Sequence, residues 1–212
     1  MLSNLSRLSY RAVRYGWRRI LHGWDMALIR LYFYLNGVHY GPGLQSYGVP
    51  VVDVNEGGQM RVGNRLVLVN GMNYANRIGR QQPCFFIVAP TGKLRIGNRV
   101  GMSGTALVCH DAITIGNDVT IGGNTVVYDT DFHSTDRHVR AGYADNALAN
   151  TAPVLIDDGA FIGAHITILK GVTIGQNAVI GAGSVVTRSV PTGEIWAGNP
   201  AQLAKTLESV TL

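Results

Sequence analysis

The side chains most able to move protons or act as nucleophiles are six histidines and two cysteines. Of these, His133 stands in the most suggestive company. It lies in Tyr128-Asp129-Thr130-Asp131-Phe132-His133-Ser134, within a polar stretch that also carries Asp136, Arg137, His138, Arg140 and Tyr143. Imidazole titrates near neutral pH, so it can take a proton from an attacking group and return it to a leaving group. Asp131 stands two positions earlier and shares a face with His133 if the segment is extended. A carboxylate there would hold the ring and stabilise its protonated form. His133 is therefore the candidate general base and Asp131 its candidate partner; the plain alternative is a solvated loop histidine.

The other groups make weaker cases. His110 in Cys109-His110-Asp111 and His165 in Gly163-Ala164-His165 read as packing or corner residues, and His22 and His39 carry no assignment. Cys109 could be a thiol nucleophile, but its apolar neighbours favour buried packing, and Cys84 has no better case. Two cysteines make no disulfide framework and fit a reducing compartment. No phosphate-binding loop or dinucleotide fingerprint is present.

A repeat must position these residues. Ile156, Ile162, Ile168, Ile174, Ile180 and Val186 recur every six residues, and Gly163, Gly175 and Gly181 directly follow three of them. Ile115, Ile121 and Val127 keep the same stride upstream, and Val62-Gly63, Ile78-Gly79 and Ile96-Gly97 extend it further back. A step of six turns a helix by about 240°, so such residues make no helical face. The stride suits short extended segments joined by regular corners, each sending one aliphatic side chain into a common column. A β-sandwich would instead place turns every 8–12 residues without a fixed stride. The repeat breaks between Val127 and Ile156, where 28 residues intervene. A loop of that length on a regular scaffold is a plausible active-site element, and it holds His133.

The first forty residues have a different grammar. Val13, Trp17, Ile20, Trp24, Leu28, Leu31 and Leu35 form one helical stripe, with Arg7, Arg11, Arg14 and Arg18 on a separate face. Asn36-Gly37 is a suitable stop. Asp25 and Arg30 interrupt the apolar character, and no small-residue cleavage site follows, so a signal peptide is not expected; the charges also argue against Arg18-Arg19 as an export address. No apolar run approaches the roughly 18 residues that span a bilayer.

Charge sharpens this division. The 212 residues hold 18 Lys+Arg and 13 Asp+Glu, a formal charge of +5. Six arginines against Asp25 place that whole surplus in residues 1–40, and the rest of the chain is balanced. A nucleic-acid-binding body is therefore not expected. With 46% apolar and 15% charged residues, neither is wholesale disorder, and the 27 glycines show no collagen period.

The repeat, the segment Tyr128–Ser134, and the tail from Ile180-Gly181-Ala182-Gly183-Ser184-Val185-Val186-Thr187 to Ala197-Gly198-Asn199-Pro200-Ala201 occur together. In these features, over roughly residues 50–205, the chain resembles the hexapeptide-repeat acyltransferases, most of all bacterial polysaccharide and sugar O-acetyltransferases. The resemblance implies a mainly β fold: a left-handed parallel β-helix of hexapeptide repeats, with three segments per coil. That handedness is an exception to the usual crossover rule. The expected organisation is an amphipathic basic helix over 1–40, a β-helix over 41–200 with its insertion at 128–155, and a short C-terminal helix within 201–212. Asn199-Pro200 would end the last coil, and Ala201 to Glu208 would form that helix.

The resemblance further implies acetyl-coenzyme A as donor, no metal, and a homotrimer with active sites between subunits. It independently places the catalytic histidine at His133. By position, Ala164, Ala182, Gly183, Thr187 and Arg188 would meet the coenzyme, where small residues let a narrow arm approach the backbone. Arg188 and Lys205 would neutralise its phosphates. Gln202 stands where many relatives carry a basic residue, which weakens phosphate contact in the tail. A sugar or glycan hydroxyl is the expected acceptor, with Tyr128, Phe132, Arg137 and His138 lining its site; aromatic loop packing explains Tyr128 and Phe132 equally well. The expected location is cytoplasmic, with the N-terminal helix placed to meet the inner face of a membrane or, alternatively, to pack on the β-helix or a neighbouring subunit.

Two rival functions share the architecture. A γ-class carbonic anhydrase would use three histidines, and His110, His133 and His138 could be nominated, although the two loop histidines do not lie on successive coils. A non-catalytic β-helix scaffold would need caps and regular coils but not His133 in an elaborated interruption.

Overall fold

The computed structural model describes residues 2–71, 82–142, 145 and 148–207. Ile78-Gly79, Tyr143 and the end of the tail at Glu208 lie outside these residues. Among the described residues the strands form three sheets of six, eight and six strands, and each sheet takes every third strand of the chain until the last two strands, which both join the eight-stranded sheet. All neighbours in the stack are parallel except the final pair. Three consecutive strands thus make one turn of a three-sided coil. The first face runs from His39–Tyr40 to Thr173–Ile174, the second from Gln45–Tyr47 to Ala201–Thr206, and the third from Val51–Val54 to Val185–Val186.

The six-residue stride is the inward column. Ile115, Ile121, Val127, Ile156, Ile162, Ile168, Ile174, Ile180 and Val186 are all buried, as are Val62 and Ile96. In register, Ile96, Ile115, Ile156 and Ile174 stack on the first face, and Ile121, Ile162 and Ile180 on the second. Burying each aliphatic side chain contributes roughly 1.5–3 kcal/mol, which makes the column the main source of stability. The glycine after an inward residue has a steric cause. At Gly122 an added Cβ would stand 2.6 Å from the Ala164 backbone nitrogen, because successive coils approach within a hydrogen bond at the corners.

One corner carries a side-chain ladder of its own. The Asn98 amide oxygen accepts from the Asn64 backbone N–H, Asn117 from that of Asn98, and Asp158 from that of Asn117. Each side chain thus pairs a corner N–H of the coil before it, at a place where strand pairing has stopped.

The N-terminal helix, α1 (Leu2–Leu35), runs without a break through Gly16 and Gly23. Its end is a Schellman motif: the Val38 N–H bonds the Phe33 carbonyl and the Gly37 N–H bonds the Tyr34 carbonyl, with Gly37 at φ +62°. Ile29 and Phe33 are fully buried in the core cluster, and Met26 packs against it. His22 bonds the Ser46 carbonyl and stacks on Tyr47, while the Asp25 carboxylate accepts from the Gly48 N–H at 2.8 Å. The C-terminal half of α1 therefore covers the open first coil. Phe33→Ala should cost about 3–5 kcal/mol, because it opens a cavity where the column meets its cap; thermal unfolding of the full chain measures it.

The tail departs from expectation. Ala201–Thr206 is a strand, not a helix, and pairs antiparallel with Glu194–Gly198. Ala, Gln, Leu and Lys favour helix, but so short a helix is marginal alone. The free edge of Glu194–Gly198 offers unpaired backbone groups, and pairing them outweighs propensity. Pro200 sits in the reversal between the two strands.

Candidate functional site

The insertion leaves the third face after Val126–Tyr128 and rejoins the first at Val154–Ile156. Its neck is closed by hydrogen bonds. The buried Asp129 carboxylate accepts from the backbone N–H groups of His110 and Asp111, at 2.7 and 2.8 Å, which ties the loop to the preceding coil. Ala152 donates to the Asp129 carbonyl, Thr130 and Thr151 form an antiparallel bridge, and Asp131 N–H reaches the Asn150 carbonyl. Sequence reading gave Asp129 no role. Its signal was an acid directly beyond the last inward segment of a coil.

Above this neck the chain turns sharply at Phe132, whose φ is +62°. His133 follows, with its side chain 63% exposed. Its Nδ1 lies 2.6 Å from Asp145 Oδ2, and Asp145 Oδ1 accepts from the Ser134 N–H at 2.7 Å. Asp145 is only 14% exposed. Its carboxyl is held below the usual aspartate range, first by the Ser134 N–H and then by His133, with the Arg140 charge adding to both. Arg140 in turn donates to the Ser134 and Thr135 carbonyls, and Asp136 caps the short helix α2 (Arg137–Arg140) by accepting from the His138 N–H. With Nδ1–H given to a carboxylate, Nε2 carries the free lone pair, the tautomer a general base requires.

Asp131 is not the residue that holds the ring. It pairs with Lys170 at 3.3 Å, on the next coil. The expectation assumed an extended segment, and the left-handed backbone of Phe132 breaks the alternation that would put Asp131 and His133 on one face. Asp145 supplies the carboxylate across the loop, twelve residues on, where no local spacing points to it.

The expected acceptor residues divide. Phe132 packs against Tyr128, with ring centroids 5.2 Å apart, and approaches His110 edge-on at 6.1 Å. These rings brace the loop root on the coil, although Phe132 keeps an exposed edge. Arg137 and His138 are exposed on α2, beyond His133 in the chain.

The expected donor residues lie on two corners. Ala164, Ala182 and Gly183 stand between the second and third faces, where Gly183 N–H bonds the Ala164 carbonyl. An added Cβ at Gly183 would meet nothing within 4 Å, so this corner is open. Thr187 and Arg188 stand on the other corner, between the third and first faces, with Lys170 and the loop root. Lys205 is exposed on the last strand of the second face. One chain therefore does not gather the donor set and His133 on a single edge.

Neither cysteine is poised as a nucleophile. Burial pushes the Cys84 thiol up to about 12, and burial together with the Asp129 charge does the same for Cys109. Among the described residues no three His, Cys, Asp or Glu side chains gather as a metal site, so His110, His133 and His138 do not form the ligand set nominated from spacing.

Comparison with known proteins bears on this arrangement. The family model for bacterial transferase hexapeptide (six repeats) matches residues 153–188. Galactoside O-acetyltransferase of Escherichia coli (strain K12) is 37% identical over 93 residues, covering 44% of this chain and 43% of that protein. The chain spans less than half the length of the curated relatives it matches. A crystal structure of a hexapeptide-repeat-containing acetyltransferase from Vibrio cholerae shares 32% identity over 59% of this chain and 67% of its own, with a TM-score of 0.51. That acetyltransferase has also been solved with acetyl-coenzyme A. An N-acyltransferase from Bacillus cereus, solved with dTDP and coenzyme A, covers 81% of this chain and 84% of its own at a TM-score of 0.64, and with 22% identity it shares the fold. The inward hexapeptide column, the coil that carries it and these likenesses agree: the chain belongs to the hexapeptide-repeat acyltransferase superfamily.

Proposed function

We propose that this protein transfers an acetyl group from acetyl-coenzyme A to a sugar hydroxyl, in the building of a surface polysaccharide at the cytoplasmic side of a membrane. The observation that carries the reading is the His133–Asp145 pair: an exposed imidazole whose Nδ1 is held by a carboxylate, which leaves Nε2 for the role of base. Acetyl-coenzyme A bound to the Vibrio cholerae relative, and the galactoside substrate class in the name of the Escherichia coli one, support donor and acceptor.

The chemistry balances with one base. His133 Nε2 takes the proton of the acceptor hydroxyl as its oxygen attacks the thioester carbonyl carbon. The tetrahedral oxyanion collapses, the carbon–sulfur bond breaks, and the imidazolium returns the proton to the leaving thiolate. Asp145 stabilises the imidazolium and keeps its orientation throughout. The coil is read as left-handed, as in the family. The open corner at Gly183 suits a narrow arm beside backbone polar groups, and Arg188, on the other corner, would supply a cation for a phosphate.

The separation of the donor corner from His133 favours a homotrimer with shared sites, in which the loop of one copy closes over the Ala164–Ala182 corner of the next. One experiment tests both parts. Radiolabelled acetyl-coenzyme A is offered with a panel of soluble glycans, first to the parent and then to mixtures of His133→Ala and Ala182→Trp subunits refolded together. Label should move to a sugar hydroxyl, each variant alone should fall to about a hundredth of the parent rate or less, and the mixture should recover about a quarter of the parent rate, as random assembly of shared sites requires. No transfer by the parent to any glycan would reject the sugar reading, and no recovery on mixing would reject shared sites.

A further inference from the structure

The helix α1 carries two apolar faces, and only one of them is used by the fold. His22, Met26, Ile29 and Phe33 meet the first coil, with Ile29 and Phe33 fully buried. Val13, Trp17, Ile20 and Trp24 belong to the other face, which at about 100° per residue lies on roughly the opposite side of the helix. They are 73%, 61%, 56% and 66% exposed. Core packing therefore does not explain the stripe that dominates the sequence of this segment. Its size and composition call for a partner, since two tryptophans, an isoleucine and a valine in one exposed row are more than scattered surface apolar residues.

Charge selects that partner. Arg7, Arg14 and Arg18 run along one side of the stripe and Arg19 and Arg30 along the other, while Arg11 lies nearly opposite it. Asp25, the one acid of the segment, is turned to the Gly48 N–H in the fold. The whole surplus of five positive charges thus rides on this helix while the body is balanced. A second copy would bring another stripe with the same charge surplus, which disfavours helix-to-helix docking. An anionic surface meets the flanks favourably, and Trp between Arg is the composition of helices that lie in a lipid headgroup region. No helix among the described residues is long and apolar enough to cross a membrane, so the helix would lie on the surface.

We infer that α1 docks this protein on an anionic lipid bilayer, with Val13, Trp17, Ile20 and Trp24 entering the headgroup boundary and arginines on both flanks meeting lipid phosphates. The inference does not depend on acyl transfer, because its test reads binding. Removing residues 1–40 would be a poor test, since Ile29 and Phe33 belong to the core. The full chain is instead floated with vesicles of phosphatidylcholine alone and of phosphatidylcholine with about 30 mol % phosphatidylglycerol. The parent should float with the anionic vesicles only, and about 0.5 M salt should release much of it. Trp17→Glu/Trp24→Glu should reduce the bound fraction about tenfold or more, with sedimentation mass and transfer to a soluble acceptor unchanged. In a Trp196→Phe background, emission reports Trp17 and Trp24 alone and should shift to the blue on those vesicles. A parent that stays unbound to anionic vesicles overturns the inference. So does a Trp17→Glu/Trp24→Glu variant that changes mass but still floats, which would assign the stripe to a neighbouring copy.

Discussion

His133→Ala should lower kcat for acetyl transfer by about 10²–10⁴-fold while leaving KM for acetyl-coenzyme A within a few-fold. The range is what one positioned general base contributes to a proton transfer. KM should hold because the donor is expected along the coil corners, whereas the imidazole is proposed to act on the acceptor hydroxyl. The fold should hold too: the side chain is largely exposed and bonds Asp145 within its own loop. Steady-state kinetics with saturating acceptor, together with an unchanged melting temperature, measures this. Unchanged turnover would sink the general-base assignment and favour the non-catalytic scaffold.

Asp145→Asn should lower kcat by about 10²–10³-fold, a larger loss than a missing loop contact would give. Two N–H donors face this carboxylate, from His133 and from Ser134. An amide offers one acceptor oxygen, and its nitrogen must donate. If the oxygen keeps the Ser134 bond, the amide nitrogen forces His133 Nδ1 to accept, which moves the ring proton to Nε2 and blocks the base. If the oxygen keeps His133, the loop loses the Ser134 bond. Nitrogen-15 shifts of the imidazole distinguish the two, and a purely structural role would not move the tautomer. An Asp145→Asn enzyme within about twofold of the parent would remove Asp145 from the mechanism.

The pH dependence of the same carboxylate has a definite sign. Its pKa in the fold is depressed below the ordinary value of 3.8, so the order it lends the loop is complete above that value and is lost as pH falls through the lower folded value. Protection of the Ser134 amide against hydrogen exchange should therefore persist from neutrality to about pH 5 and disappear only below the ordinary aspartate range. Loss of protection in mildly acidic solution would contradict the clamp.

The column from Ile115 to Val186 was legible because its cause is local and periodic. A fixed stride of six with a following glycine leaves the chain few ways to bury one side chain per segment. The same logic found His133, since a break in a strict period stands out. It failed for Asp131, where one residue at positive φ cancelled the assumed alternation, and for the tail, where a free strand edge overrode helix propensity. The spacing in residues 1–40 predicts a helix with one apolar stripe. The structure uses the opposite side of that helix for packing and leaves the stripe exposed.

By itself, then, the sequence determined the coil, the site of its interruption and the division between a neutral body and a basic helix. These follow from the order and spacing of residue types along the chain. Only the tertiary structure decided that Asp145 holds His133, that Lys170 takes Asp131, that Ala164, Ala182 and Gly183 sit on a different corner from the root of the His133 loop, and which face of α1 meets the core. Each of those is a contact between segments far apart in the chain or on successive coils. Such contacts depend on where corners stack and which way a loop turns, and spacing along the chain carries no record of either.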